Sequence, residues 1–388
     1  MIVLAVASGT SADGLDVGAV RFARDELDPA TLVADVLDTW TDPWPPGVRD
    51  DVLALLPPAT TTAAALCAAD QAVGQAVAGA ARAALERVPG VDLVVSPGQT
   101  VFHDVRDGVC LGTMQVGQPA WAAEATGLPV VSDLRARDVA AGGHGAPLAG
   151  VLDRLWLGGD DVRVALNLGG IANVTVVGPG VQAPAHDTGP ANCLLDVVAT
   201  RALGRPYDAD GALAASGRVD ERLLARLLAH PYFALPAPKS TGRELFSAAW
   251  LDDVVDGEPW PDVAATLVEL TAVTVADAVA PHRPREVVAS GGGTANPVLV
   301  AALARRLGDV PLVTSDAHGL PADGKESVLW ALLGWLAWHQ VPVSTGPHPA
   351  RVLGRITPGH APVVLPPAGE APRRLVVGSP QLTEVVAR

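Results

Sequence analysis

Three times in this chain an apolar, β-type run ends in a glycine-rich loop, and this recurrence restricts the fold more than any other feature. Ile2–Ala7 and Val17–Phe22 flank Ser8-Gly9-Thr10-Ser11-Ala12-Asp13-Gly14 as a hairpin pattern. Val162–Asn167 and Asn173–Val177 form a second, joined by Leu168-Gly169-Gly170-Ile171-Ala172. Glu286–Ala289 runs into Ser290-Gly291-Gly292-Gly293-Thr294 and then a helix from about Asn296 to Leu307. Each loop offers backbone N–H groups that no side chain blocks, as close approach to phosphate requires. An Ala-rich helix at Ala63–Val88, followed by a strand at Val91–Val95, makes this α/β alternation.

One such loop is weak evidence, since a ligand-free hairpin turn reads the same. Three together favour a nucleotide, and the hydroxyls, backbone donors and Asp13 of the first are the parts needed to hold a triphosphate with its Mg2+. None has the GxxxxGK[ST] pattern or a GxGxxG followed by an acid on a second strand, which disfavours P-loop NTPases and dinucleotide enzymes. No short-period repeat is visible, so solenoids and propellers drop out.

The chain has 388 residues, 49% of them hydrophobic, enough for one large domain or two. Its 27 Lys and Arg against 42 Asp and Glu give a net charge of −15, which argues against broad binding to nucleic acid or anionic lipid. Cys67, Cys110 and Cys193 lie far apart without metal-site spacing and read as reduced thiols; the nine histidines include no HExxH. The N-terminal apolar run lacks a basic flank and reads as a buried strand, not a signal peptide. The most apolar stretch, Val328–Val343, has 11 uninterrupted apolar or Gly residues, too few for a bilayer of ~30 Å, and predicts a buried helix.

Asp187, just before Thr188-Gly189-Pro190, stands where a strand gives way to a predicted helix, Ala191–Leu203. A carboxylate there either faces a site as a base or caps the helix.

Taken in order, Ser8–Asp16, Asn167–Asn173, Asp187-Thr188-Gly189-Pro190, Lys239-Ser240-Thr241-Gly242-Arg243-Glu244 and Ser290–Gly293 resemble the anhydro-N-acetylmuramic acid kinase family over residues 1 to about 358. The resemblance implies a two-domain α/β fold of the actin, sugar-kinase and heat-shock ATPase class, closing by a hinge around an interdomain nucleotide cleft. Expected boundaries are 1–160 and 161–358, with the proline-rich 359–388 as an extension carrying a short strand at Leu375–Val377. The resemblance implies ATP, with Mg2+ near Asp13, gripped by Gly9, Thr10, Ser11, Ala12, Asp13, Gly14 and Asp16 and by Asn167, Gly169 and Gly170. Gly291, Gly292, Gly293 and Asn296 would approach adenosine, and Asp187 would be the catalytic base.

The family's substrate has its C6 oxygen tied to C1, so water must open the bridge before O6 is phosphorylated. The implied product is N-acetylmuramic acid 6-phosphate, made in cell-wall recycling by a cytoplasmic homodimer that binds neither nucleic acid nor membrane. Substrate contacts are expected from Gln99 and Thr100, from Arg135, Arg137 and Asp138, and from Gly145, Ala146 and Pro147. Arg135 or Arg137 would fork a lactyl carboxylate, or else pair on the surface with Asp133 or Asp138. Lys239 and Arg243 either reach phosphates or close a loop. Glu326 either orients sugar or water or pairs with a helix dipole. Where the family reads His-Gly-Gln-Thr this chain has Pro97-Gly98-Gln99-Thr100, and Ala191 replaces a customary Gly. The missing imidazole leaves room for a kinase of an ordinary sugar or polyol; a non-catalytic sugar-binding regulator is the rival from another class.

Overall fold

The structure is a computed structural model that describes residues 1–378 apart from 10–11, 58, 107–108, 182–184, 243 and 347. It separates into two compact units, Met1–Trp156 with Gly324–Arg388, and Leu157–Asp323.

In the first unit, β1 (Ile2–Ala7), β2 (Leu15–Arg24) and β3 (Thr31–Asp42) form an antiparallel meander. β4 (Leu93–Ser96) joins β1 in parallel, after a β-α-β crossover through the Ala63–Arg87 helix. β5 (Gln99–Arg106) and β6 (Val109–Val116) form a separate two-stranded sheet, and β7 (Val130–Ser132) returns beside β4. Side chains alternate across β1 and β2 with period two. Leu4, Val6, Val17 and Ala19 meet Val73, Ala76 and Ala80 of the Ala63–Arg87 helix on one face. On the other lies the Lys325–Trp338 helix, with Trp335 6.2 Å from Phe22 between ring centroids. It lies so close that a Cβ at Gly334 would stand 2.1 Å from Val95 Cγ2.

In the second unit, β8 (Arg163–Leu168), β9 (Ile171–Val177) and β10 (His186–Pro190) form another antiparallel meander. β11 (Glu286–Ser290) and β12 (Leu312–Thr314) extend it in parallel on the far side of β8, giving the order β10-β9-β8-β11-β12. Its core joins Leu166, Leu168 and Val174 of the sheet to the Asn192–Leu203 and Trp260–Val279 helices. Among the described residues the one helical span long and apolar enough to cross a membrane is Trp260–His282, and 72% of its apolar window is buried inside the protein.

The expected class, two α/β units, is the one observed. The boundaries differ. The Lys325–Trp338 helix, expected in the second unit, packs on β1, β2 and β4 of the first. β13 (Arg355–Thr357) pairs with β7, and β14 (Arg374–Val377), in the proline-rich segment, pairs in parallel with β3, so the chain after the Lys325–Trp338 helix closes both edges of the first sheet, in the order β13-β7-β4-β1-β2-β3-β14. Backbone pairing of edge strands, which composition does not reveal, is the physical reason.

Candidate active site

Asp187 does not cap a helix. β10 continues through it to Pro190, and the Asn192–Leu203 helix starts with no side-chain cap. The register against β9 slips between Asp187 and Gly189, a bulge of the kind that re-aims a side chain beside an active site. Its Oδ2 accepts the Thr241 N–H at 2.9 Å, its N–H donates to Lys239 O at 2.9 Å, and its carbonyl accepts the Tyr232 hydroxyl at 2.7 Å. Burial pushes the carboxyl up to about 6, the Thr241 bond opposing and the Glu244 carboxylate adding to the rise. A carboxylate so poised is largely ionised at neutral pH and basic enough to take a proton from water.

Lys239, expected to reach phosphate or close a loop, closes a loop: its Nζ donates to the carbonyls of Tyr232 and Phe233 at 3.1 and 3.3 Å. Arg243 lies outside the described residues.

The second glycine hairpin and the third glycine loop come together at Leu168. The carbonyls of Gly169 and Gly170 accept the N–H groups of Ala191, Asn192 and Cys193, so these helix N-terminal donors are used within the protein. Among the described residues neither Gly169 nor Gly170 donates its own N–H to a protein acceptor, which leaves both for a ligand. Ala191 has φ −120°, so no left-handed turn calls for Gly there. Gly291 has φ +89°, and a Cβ on it would stand 2.8 Å from Asn167 Oδ1 and 2.9 Å from Leu168 O, so the backbones can meet only with glycine. Gly292 and Gly293 continue that loop as a short 3-10 turn. Asn296, expected to approach adenosine, has a buried side chain whose Oδ1 caps the Pro297–Leu307 helix through the N–H groups of Val298 and Leu299. That oxygen is already satisfied.

In the first unit, Thr10 and Ser11 lie outside the described residues. Gly9 O accepts the Ala12 N–H at 3.0 Å, Gly14 is buried where the chain re-enters β2, and Asp13 is 67% exposed, 3.5 Å from Arg49 Nη2. Asp16 Oδ1 accepts the Thr41 hydroxyl at 2.7 Å. Gln99 links this loop to β5, its Nε2 donating to Gly9 O at 3.2 Å while its buried Oε1 has no partner among the described residues. Thr100 Oγ1 accepts Gln115 Nε2 at 3.3 Å.

Arg135 and Asp138 hold the segment around Gly145. Asp138 is buried; its Oδ2 accepts the Gly145 N–H at 2.7 Å and its Oδ1 meets the Thr345 hydroxyl, with His348 Nε2 at 3.2 Å. Arg135 Nη1 donates to Gly145 O at 2.8 Å, ahead of Ala146 and Pro147, and its buried Nε has no partner. Neither forms the expected surface pair, for Asp133 meets Arg355 instead at 3.1 Å. Arg137 is exposed and in no ion pair among the described residues. Glu326 lies in the first turn of its helix and accepts Trp330 Nε1 at 3.2 Å. The residue is exposed, yet the protein atoms packed around its carboxyl desolvate it and push it above the ordinary range. Asp16 adds to that rise, while the Trp330 bond and Arg135 oppose it.

Sequence reasoning missed Trp330 and His103. Burial and then Arg135 push the His103 imidazole below its usual range, so it is neutral, and its Nδ1 is buried without a partner. The available signal for Trp330 was its i+4 spacing from Glu326, which puts both on one helix face. A cavity of about 630 Å3 in the same unit, lined by Met1, Trp338, His339 and the 361–366 segment, includes none of these residues.

This arrangement agrees with what the chain is similar to. The sequence profile of the family described as anhydro-N-acetylmuramic acid kinase matches residues 1–359. A protein of that description from Streptomyces avermitilis is 50% identical, covering 97% of this chain and all of the relative. One from Rhodococcus erythropolis is 47% identical, covering 92% and 94%. Among solved structures, the ADPNP-bound activator of the 2-hydroxyisocaproyl-CoA dehydratase from Clostridium difficile aligns at a TM-score of 0.41 and 13% identity, over 86% of this chain and 94% of that one. With the profile spanning both units and relatives matched along nearly their whole length, the chain belongs to the anhydro-N-acetylmuramic acid kinase family.

Proposed function

We propose that this chain uses ATP and water to open the 1,6-anhydro ring of anhydro-N-acetylmuramic acid and phosphorylate O6, with Asp187 as the base. The observation that carries the residue assignment is the Asp187 carboxylate at the β10 bulge, held by one backbone N–H and raised to about 6. Asp187 takes a proton from water as the water oxygen bonds to C1 and the C1–O6 bond breaks. O6 then bonds to the γ-phosphorus, the bond to the β-phosphate oxygen breaks, and ADP leaves. The products are N-acetylmuramic acid 6-phosphate, ADP and the proton on Asp187.

The backbone donors of Gly169 and Gly170 suit phosphate oxygens. Gly291–Gly293 would let the nucleotide approach the backbone, as would Gly9–Gly14. Asp13 suits Mg2+ arriving with the triphosphate, because that ion usually takes one or two carboxylates, phosphate oxygens and water. Bound there, Mg2+ would neutralise phosphate charge. Arg135 fits the lactyl carboxylate: with Nη1 on Gly145, its Nε and Nη2 remain as the side-on pair of donors that matches a carboxylate. A homodimer in the cytoplasm completes the reading, as the family suggests. Asp187→Asn tests it: turnover should fall while ATP binding, read by titration calorimetry, stays within about threefold, and near wild-type turnover would end the assignment.

A further inference from the structure

One buried side chain touches two of the residues assigned to the sugar side of the first unit, Arg135 and Glu326. Trp330 is 2% exposed and sits one turn after Glu326 on the Lys325–Trp338 helix. Its indole Nε1 donates to Glu326 Oε1 at 3.2 Å. The face of the same ring carries the Arg135 guanidinium, whose Cζ is 5.0 Å from the ring centroid. Arg135 comes from 195 residues earlier in the chain, so nothing local in sequence couples it to Glu326.

We propose that Trp330 is a positioning residue of the sugar site, which orients the Arg135 fork with its ring face and the Glu326 carboxylate with its N–H. This rests on the reading of Arg135 and Glu326 as sugar contacts. A guanidinium lying on an aromatic face loses most of its torsional freedom and presents its donors edge-on. Gly145 O fixes one end of that edge, and Nε, buried and unpartnered, is on the end left for a ligand. Glu326 accepts the indole hydrogen with one oxygen, and the other oxygen stays open to sugar or water.

The charged groups around Glu326 give the indole bond a measurable role. Asp16 of β2 disfavours the carboxylate and Arg135 favours it. Lys325, its chain neighbour, is no counterion, because its Nζ is 2.7 Å from Asp153 Oδ1. His103 faces Arg135 as a neutral ring. The Trp330 bond is thus one of two interactions that hold the Glu326 carboxyl down, and its removal must raise the titration midpoint.

The test compares Trp330→Phe, which keeps a ring under Arg135 and loses the N–H, with Trp330→Leu, which loses both. Sugar and ATP kinetics are measured, and the Glu326 carboxyl is followed by 13C NMR with labelled glutamate, its signal assigned by Glu326→Gln. Expected for Trp330→Phe are a Glu326 midpoint moved upward and a sugar KM within threefold of wild type. Trp330→Leu should add a rise of tenfold or more in sugar KM, with ATP KM within twofold. If the Phe variant leaves the midpoint in place, or the Leu variant changes sugar KM less than twofold, while Arg135→Ala and Glu326→Gln impair sugar use, Trp330 is only packing and the proposal falls alone. If Arg135→Ala and Glu326→Gln leave sugar kinetics unchanged, the sugar site itself is misassigned and the proposal falls with it. Should Trp330→Leu not fold, the Phe midpoint decides.

Discussion

The two units share one topology and differ in the part of the reaction proposed for each. β1-β2-β3 with parallel β4 and β7 repeats as β8-β9-β10 with β11 and β12. Yet β1 and β2 are joined by residues 8–14, whereas β8 and β9 are joined by Gly169 and Gly170 alone. In the second unit the candidate residues are locked by backbone bonds: Asp187 on Thr241, Gly169 and Gly170 under a helix N-terminus, Asn296 in a cap. In the first, among the described residues, buried polar atoms of Gln99, His103 and Arg135 lack protein partners, and in the second so does the Thr241 hydroxyl, on the residue whose N–H holds Asp187. Buried polar groups are nearly always paired, so these orphaned atoms mark places in either unit that a ligand would complete, and the contrast lies in the proposed assignments, sugar contacts in the first unit and the base in the second.

That contrast breaks most visibly at Asp187. Replacement by Asn should lower kcat by ~10²–10⁴ with little change in sugar KM, as loss of a general base does. A rise in KM with kcat intact would reverse the roles of the units. At Arg135 the effect should fall the other way: Arg135→Ala should cost ~1.5–3 kcal/mol in kcat/KM for the muramic sugar, mostly through KM. The anhydro-glucosamine counterpart, which lacks the lactyl group, should be spared, and equal losses on both would show that Arg135 reads something else.

The pH dependence sharpens the same contrast. Asp187 works only when ionised, so kcat should fall about tenfold per pH unit below about 6, and that limb should vanish in Asp187→Asn. The smallest effect is on stability. Because burial raises the Asp187 carboxyl above its unfolded value, the native state binds more protons between about pH 4 and 6 and loses stability as pH rises through that window. Asn can keep the Thr241 bond and has no charge to desolvate. Above pH 6 the variant should therefore be more stable by on the order of 1–2 kcal/mol, with no gain near pH 3.5, as read by urea unfolding. A variant less stable at pH 7 would show that the carboxylate is comfortable in its site.

The sequence was legible where one local signal sufficed. Ile2–Ala7 and Arg163–Leu168 are short apolar runs ending at glycine, and both are hairpin strands as expected. It was illegible where the decisive partner is remote. Which sheet the Lys325–Trp338 helix covers depends on Gly334 meeting Val95, and the place of Arg374–Val377 depends on a free edge of β3. Asp187-Thr188-Gly189-Pro190 reads as the end of a strand because Thr-Gly-Pro is turn chemistry; pairing with β9 through a bulge carries the strand on to Pro190 and turns Asp187 from a capping candidate into a held carboxylate. The motif positions of Gln99 and Arg135 were readable, but not their orphaned atoms, which follow from burial.

Oxygen tracing tests the central claim, that water activated by the second unit opens the ring while the bridge oxygen receives the phosphoryl group. Turnover in 18O-labelled water, with the product reduced quickly by borohydride to prevent exchange at the anomeric carbon, should place one solvent oxygen on C1 and none in the C6–O–P linkage. Label in that linkage, or phosphorylated sugar with its ring still closed, would contradict the account.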